Sequence, residues 1–205
     1  MAAKSEQRKR DLLQATSRVI SERGLAGVSV RAVAEQADVS FGSVLYHFES
    51  FDHLVESAIR GAIDEFIDRR RRTAQRHSDP VSRIRALIEA GIPTRISDDL
   101  KVVYEASATL RERPRYRPHM NLLVERQISL YETTIEVGVA LERFRPRMDV
   151  LTVATNLVAL EDAYDLYLLD PDNTQRDRYL RNTLDFAEVA LDCVLDDAPN
   201  RTDPR

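Results

Sequence analysis

Glycine and proline are scarce in this 205-residue chain, six and eight in all. With abundant Ala, Leu, Glu and Arg, that scarcity argues against a fold of many tight turns and favours an all-α protein. One cysteine is present, Cys193. It can form neither an internal disulfide nor a cysteine metal cluster, nothing points to an oxidising compartment, and it reads as a small buried hydrophobe. No apolar run reaches the roughly 18 residues of a membrane span, and the N-terminus shows no apolar signal core. A cytoplasmic protein with no membrane partner is expected. His53, His77 and His119 lack ligand spacing, so no metal is expected. Neither a nucleotide loop nor a catalytic triad nor a paired-carboxylate signature is visible, so no cofactor and no enzymatic activity are expected.

What remains is a globular composition, 43% hydrophobic and 31% charged, long enough for one large domain or two small ones. The net charge of −4 is unevenly spread. Residues 1–31 hold seven basic residues (Lys4, Arg8, Lys9, Arg10, Arg18, Arg23, Arg31) against three acids. A positive patch on an acidic protein fits a localised anionic partner; solvated helix faces explain it equally well on charge alone.

Apolar periodicity predicts about nine helices. The first runs from about Ser5 to Arg23 and stops at Gly24. Ser29 caps a short second helix ending near Ala37, Asp38-Val39 make a tight turn, and Ser40 caps the third. Ser50 opens a fourth of roughly 25 residues, ending near Gln75, with Arg69 to Arg72 suited to its C-terminal end. Further helices are expected from Pro80 to Gly91, Asp98 to Glu112, Pro118 to Arg143, Asp149 to Leu169 and Thr174 to Leu195. The eighth is apolar almost all round and should be buried on most sides. On the ninth, Leu180, Leu184, Ala187, Leu191 and Val194 recur at a/d spacing beside a second stripe of Phe186, Val189, Ala190 and Cys193. Two apolar faces suggest one for the core and one for a partner subunit, hence a homodimer.

Helix, turn and short second helix is the geometry that lays a recognition helix into the DNA major groove. The stretch "DVSFGSVLYHFESFDHL" supplies matching chemistry. Ser40 opens the helix near phosphate, Gly42 removes a side chain where backbone approaches DNA, and Ser43 can reach base edges or phosphate. Phe41 can pack on a thymine methyl, and Tyr46 and His47 suit phosphate contact. Val44, Leu45 and Phe48 are expected to lock the helix onto its neighbours.

The residues "VSVRAVAEQADVSFGSVLYHFESFDHL" resemble the TetR family of bacterial transcription regulators, and the likeness covers about residues 6–66. It implies a three-helix DNA-binding domain over residues 1–49, an effector-binding and dimerising helical domain over 50–196, and a polar tail over 197–205. The implied partners are a double-stranded DNA operator and a small-molecule effector of unknown identity, and the implied role is that of a repressor. Candidate DNA contacts are Lys4, Arg8, Arg10, Ser29, Arg31, Ser40, Phe41, Gly42, Ser43, Tyr46 and His47. More weakly, "LRERPRYRPHM" and "RPRMDVLTVATNLVALEDAYDL" resemble the subgroup related to choline-responsive repressors.

The family often has a basic residue where this chain has Glu49 and Phe51, which implies weaker phosphate contact here. Those two residues also support a competing reading, a helical ligand-binding or scaffold protein that has lost specific DNA recognition. The resemblance implies an effector cavity among the fourth to eighth helices. Candidate lining residues are Phe66, Tyr104, Glu105, Arg111, Tyr131, Glu161, Tyr164 and Asp165. Tyrosines with carboxylates suit a cation. Alternatively Glu161, Asp162 and Asp165 lie on a solvated or inter-subunit stripe and pair with arginine, while Arg111 either pairs with Glu105 or binds an acid.

Overall fold

The computed structural model describes residues 2–109 and 112–195. Among them are nine α-helices and no strand: α1 (Ala2–Arg23), α2 (Val30–Gln36), α3 (Phe41–Tyr46), α4 (Phe51–Gln75), α5 (Pro80–Gly91), α6 (Asp98–Ala108), α7 (Arg117–Ala140), α8 (Val150–Leu168) and α9 (Arg176–Leu191). No described helix is long and apolar enough to cross a membrane.

The chain forms two compact units. The first takes residues up to Arg69 together with Arg95–Arg126; the second takes Arg70–Thr94 together with the chain from Gln127 onward. The division falls inside α4, between Arg69 and Arg70, and inside α7, between Arg126 and Gln127.

In the first unit, Leu12, Ala15 and Val19 of α1 close over Ala32 and Val33 of α2, Val44 of α3 and Leu54 of α4. The segment α6 also packs on α1. Glu105 fastens that contact: its carboxylate accepts the Leu25 N–H at 3.0 Å. Gly24 between them has φ 69°, a left-handed turn that ends α1, and a Cβ there would lie 2.9 Å from Glu105 Oε2. Ion pairs then join α4 to the segment around α7: Asp52 with Arg115 at 2.7 Å, Glu56 with His119 at 2.8 Å and Asp64 with Arg126 at 2.6 Å.

The second unit packs Ile84, Leu87 and Ile88 of α5, Tyr131 and Ile135 of α7, Val153, Leu157 and Val158 of α8, and Ala187, Ala190 and Leu191 of α9 around one core. Three helices stop earlier than periodicity predicts, and each stop has a local cause. The Thr109 hydroxyl donates to the carbonyls of Glu105 and Ala106 and closes α6 at Ala108. Beyond Ala140, Glu142 takes φ 56°, and the N–H groups of Arg143 and Glu142 return to the carbonyls of Gly138 and Val139, a Schellman ending built without glycine. Asp192 takes φ 50° and ends α9 at Leu191. The next turn is pinned by Leu195, whose N–H meets Glu188 Oε1 and whose carbonyl accepts from Arg85.

Although α8 is apolar almost all round, it buries one face only. Leu151, Leu166, Tyr167 and Leu169 stay exposed.

Two glycines test the packing. At Gly138 a Cβ would lie 2.0 Å from Phe144 Cδ2, and Phe144 is fully buried. At Gly61, exposed in the middle of α4, nothing lies within 4 Å. Thermal unfolding should show Gly138→Ala destabilised by about 1–3 kcal/mol and Gly61→Ala stabilised by about 0.5–1 kcal/mol.

Candidate functional site

The turn between α2 and α3 is built from its caps. Ser29 accepts the Ala32 N–H at 3.1 Å, Asp38 turns the chain with φ 51°, and Ser40 accepts the Ser43 N–H at 3.3 Å. Each cap contributes about 1 kcal/mol. The Ser43 amide is thus engaged by the protein itself.

Within α3 only Val44 is buried, and Phe48 just beyond it is partly buried against the same core. Leu45 does not help lock the helix as expected; it is exposed, as are Phe41 (57%) and Tyr46 (84%). With one turn and a half and a single buried anchor, Leu45 falls on the outward side. Gly42 carries no neighbour within 4 Å of a would-be Cβ, so its lack of a side chain is not required by the fold. His47 meets Tyr46 edge-on at 5.1 Å. Lys4 and Arg10 are exposed on α1, Arg8 is half-buried, Arg10 bonds Gln7, and exposed Arg31 pairs with Glu35 on α2. Glu49 is 91% exposed beside His53 at 3.8 Å. Phe51 is half-buried against the core of the first unit, which accounts for an aromatic residue there.

The effector candidates fall into both units. Phe66, Tyr104 and Glu105 belong to the first, where Glu105 holds the Leu25 amide. Arg111 lies outside the described residues. In the second unit Tyr164 stacks on Tyr179 at 4.5 Å and its hydroxyl accepts from Asn182. Asp165 is buried.

Tyr131 and Glu161 come into direct contact, and they do so around a residue not anticipated there, Arg70. Its Nη2 donates to both Glu161 carboxylate oxygens, at 2.8 and 3.1 Å, and to the Tyr131 hydroxyl at 3.3 Å. Tyr131 in turn donates to Glu161. Arg70 is 2% and Glu161 1% exposed. The pairing answers the alternative posed by the sequence: Glu161 does pair with arginine, but deep in the unit and not on a solvated stripe. Beside them lie half-buried Asp162 and buried Gln127.

Of the seam on α9, Ala187 and Leu191 are fully buried in the unit's own core. Leu180 and Leu184 pack partly against it, and Val194 is exposed. The second stripe contributes exposed Val189.

A model of bacterial regulatory proteins of the tetR family matches residues 12–58. The HTH-type transcriptional repressor KstR2 of Mycobacterium tuberculosis is 27% identical over 152 residues, 73% of this chain and 76% of that protein. The HTH-type transcriptional regulator BetI of Burkholderia cenocepacia is 39% identical over 87 residues, 42% of this chain and 44% of that protein. A solved transcriptional regulator from Saccharomonospora viridis in complex with choline superposes with a TM-score of 0.79 at 24% identity, over 91% of this chain and 98% of that one. Residues 12–58 thus match the tetR-family model, and the chain is similar to TetR-family regulators. The matched region is a DNA-binding domain of bacterial regulators, and the relatives named are transcription regulators and not enzymes.

Sequence reasoning passed over Arg70 because it sits in a run of four arginines. Its register was the available signal: Phe66, Arg70 and Ala74 recur every fourth residue on the buried face of α4. A charge on such a stripe requires a partner. Glu161 meets Arg70 where α5 ends, and a Cβ on Gly91 would lie 1.9 Å from Glu161 Oε1.

Burial pushes the Glu161 carboxyl up from 4.5 to about 7, against the opposing pull of Arg70 and Tyr131. The same burial raises Asp162. A carboxyl that holds its proton more tightly when folded stabilises the fold at low pH. Its contribution is lost as pH rises from about 4.5 through about 7. Melting temperatures recorded across that window should show a falling component in the wild type that is absent in Glu161→Gln.

Proposed function

We propose that this chain is a TetR-family regulator, a cytoplasmic repressor that binds a pseudo-palindromic operator as a homodimer and is released by a small-molecule effector. The observation that carries the DNA-contact assignment is the face of α3. A six-residue helix with one buried anchor leaves Phe41, Leu45 and Tyr46 in solvent around the bare backbone of Gly42. Large apolar side chains left exposed beside a glycine with open space at its Cβ position are understood if a base-pair edge and its flanking phosphates cover them. In this reading Ser43, His47, Ser29 and Arg31 complete the DNA contact, and Lys4, Arg8 and Arg10 supply charge toward phosphate.

Dimerisation is supported by the exposed apolar residues of α8 and α9, notably Leu151, Leu166, Tyr167 and Val189, with Val194 beyond. Two recognition helices then enter successive major grooves about 34–36 Å apart, and an effector favours a dimer with a different separation. Repression is supported by relatives named as repressors. The scaffold alternative loses one of its two supports, since Phe51 has a packing role in the first unit's core.

Gly42→Ala separates fold from function. With nothing within 4 Å, the alanine should leave the melting temperature unchanged or slightly higher, because it suits a helix better by roughly 0.5–1 kcal/mol. Affinity for a duplex selected from a random library by the wild-type chain should fall on the order of tenfold. Equal affinity of the two proteins would remove α3 from the interface. Glu49→Lys should strengthen binding to the same duplex and steepen its salt dependence by about one counterion per head. Titrations at two or more salt concentrations measure that slope.

A further inference from the structure

A protein that binds duplex DNA sets cations against phosphates and releases their counterions. The stretch that carries α3 is short of such cations. From Ala32 to Ile59 there is no lysine or arginine, while Glu35, Asp38, Glu49, Asp52 and Glu56 bring negative charge. The first unit holds a basic run elsewhere in the chain: "RPRYR" places Arg113, Arg115 and Arg117 just ahead of and at the start of α7.

Ion pairs within the unit fix where that run lies. Asp52 meets Arg115, Glu56 meets His119 and Asp64 meets Arg126. The partners advance together, so this part of α7 follows α4 in the same direction, and the basic run sits beside the first turn of α4. Asp52 follows Tyr46, the last residue of α3, by six positions, a reach of at most about 22 Å. The major groove is about 12 Å wide, so the phosphates bordering a groove entered by α3 fall on the same scale. Tyr116 is fully buried and anchors the run, which leaves Arg115 and Arg117 in solvent on either side of it. Arg115 lies over the Tyr116 ring at 5.7 Å and has N–H groups beyond the one that meets Asp52. Arg117 is the first residue of α7, and the first turn holds no acid. A helix dipole disfavours a cation at that end. Among the described residues Arg117 has no ion-pair partner, so local stability gives no reason for an arginine there.

We propose that Arg117, with Arg115 beside it, binds the DNA backbone bordering the groove that α3 enters, a phosphate contact outside the helix-turn-helix. The inference rests on the α3 assignment for where the duplex lies. Asp52 and the Tyr116 ring hold Arg115 in place, and Arg117 brings the charge that no side chain of the unit engages. Such a contact positions the duplex and carries no base information, so its contribution is the same for every sequence.

Full-length variants titrated at several salt concentrations, against the selected duplex and an unrelated one, test it. Arg117→Gln should lower the salt slope by about one counterion per head and weaken both duplexes alike, on the order of tenfold per head at about 0.1 M salt. Adding Arg115→Gln should remove about one counterion more. Arg117→Lys keeps the charge and should keep the slope. Arg60 is exposed on α4, about 12 Å further along the helix than Asp52. Arg60→Gln therefore removes the same charge from the same unit and should leave the slope unchanged. The melting temperature of Arg117→Gln should equal or exceed that of the wild type, because a cation leaves a helix N-terminus. An unchanged slope in Arg117→Gln, or equal losses in Arg117→Gln and Arg60→Gln, overturns the proposal and leaves the α3 assignment standing. A wild type that binds neither duplex at low salt overturns both.

Discussion

A guanidinium with almost no solvent contact sits at the centre of the second unit, and its neutralisation constrains everything around it. Arg70 is held charged there by Glu161 and Tyr131, which face it from α8 and α7. Burial disfavours the charge, but the carboxylate beside it holds the Arg70 pKa above its ordinary value. Removing one member of such a pair costs about 3–5 kcal/mol, whereas replacing the whole group with apolar residues is often neutral. The cluster is therefore poorly explained as a source of stability. It is well explained as a device that allows one arrangement of α4, α7 and α8. Gly91 belongs to the same constraint, since any side chain there would occupy the space of the carboxylate.

The first unit obeys the opposite logic at its working surface. Its core is closed by ordinary apolar packing of α1, α2 and the start of α4, with α3 held by Val44. The rest of α3 is turned outward with its aromatic residues bare. A fold that spends so little of a helix on its own core leaves that helix available for a partner, and the partner we propose is DNA. The α6 segment belongs to this same unit, latched to the end of α1 by Glu105. A carboxylate that reads from sequence as a pocket residue is thus engaged in holding the turn before α2.

The helix-turn-helix was legible because each of its parts is local. Ser29 and Ser40 act as caps where their positions predict, and the turn falls at Asp38. The identities of the nine helices were legible for the same reason, from apolar period and from Gly and Pro at their ends. Helix ends were less so. Glu142 and Asp192 adopt left-handed turns usually taken by glycine, and nothing in their residue type marks them for it; the carbonyls of Gly138, Val139 and Glu188 close those turns. Long-range pairing was the least legible. Glu161 and Asp162 look alike in sequence, yet Glu161 is buried against Arg70 and Asp162 is only half-buried. Units assembled from separated segments leave no local mark at all. The a/d spacing on α9 marked a genuine seam, but Ala187 and Leu191 turn it toward the unit's own core.

The buried cluster sets geometry more than it adds stability. The most direct measurement is a triple replacement, Arg70→Met with Tyr131→Phe and Glu161→Leu, assayed for both unfolding free energy and affinity for the selected duplex. Stability should stay within about 2 kcal/mol of the wild type, with duplex affinity still reduced on the order of tenfold. Wild-type duplex affinity in a stable triple variant would contradict it, because the apolar core would then position α4 as well as the ion pair does.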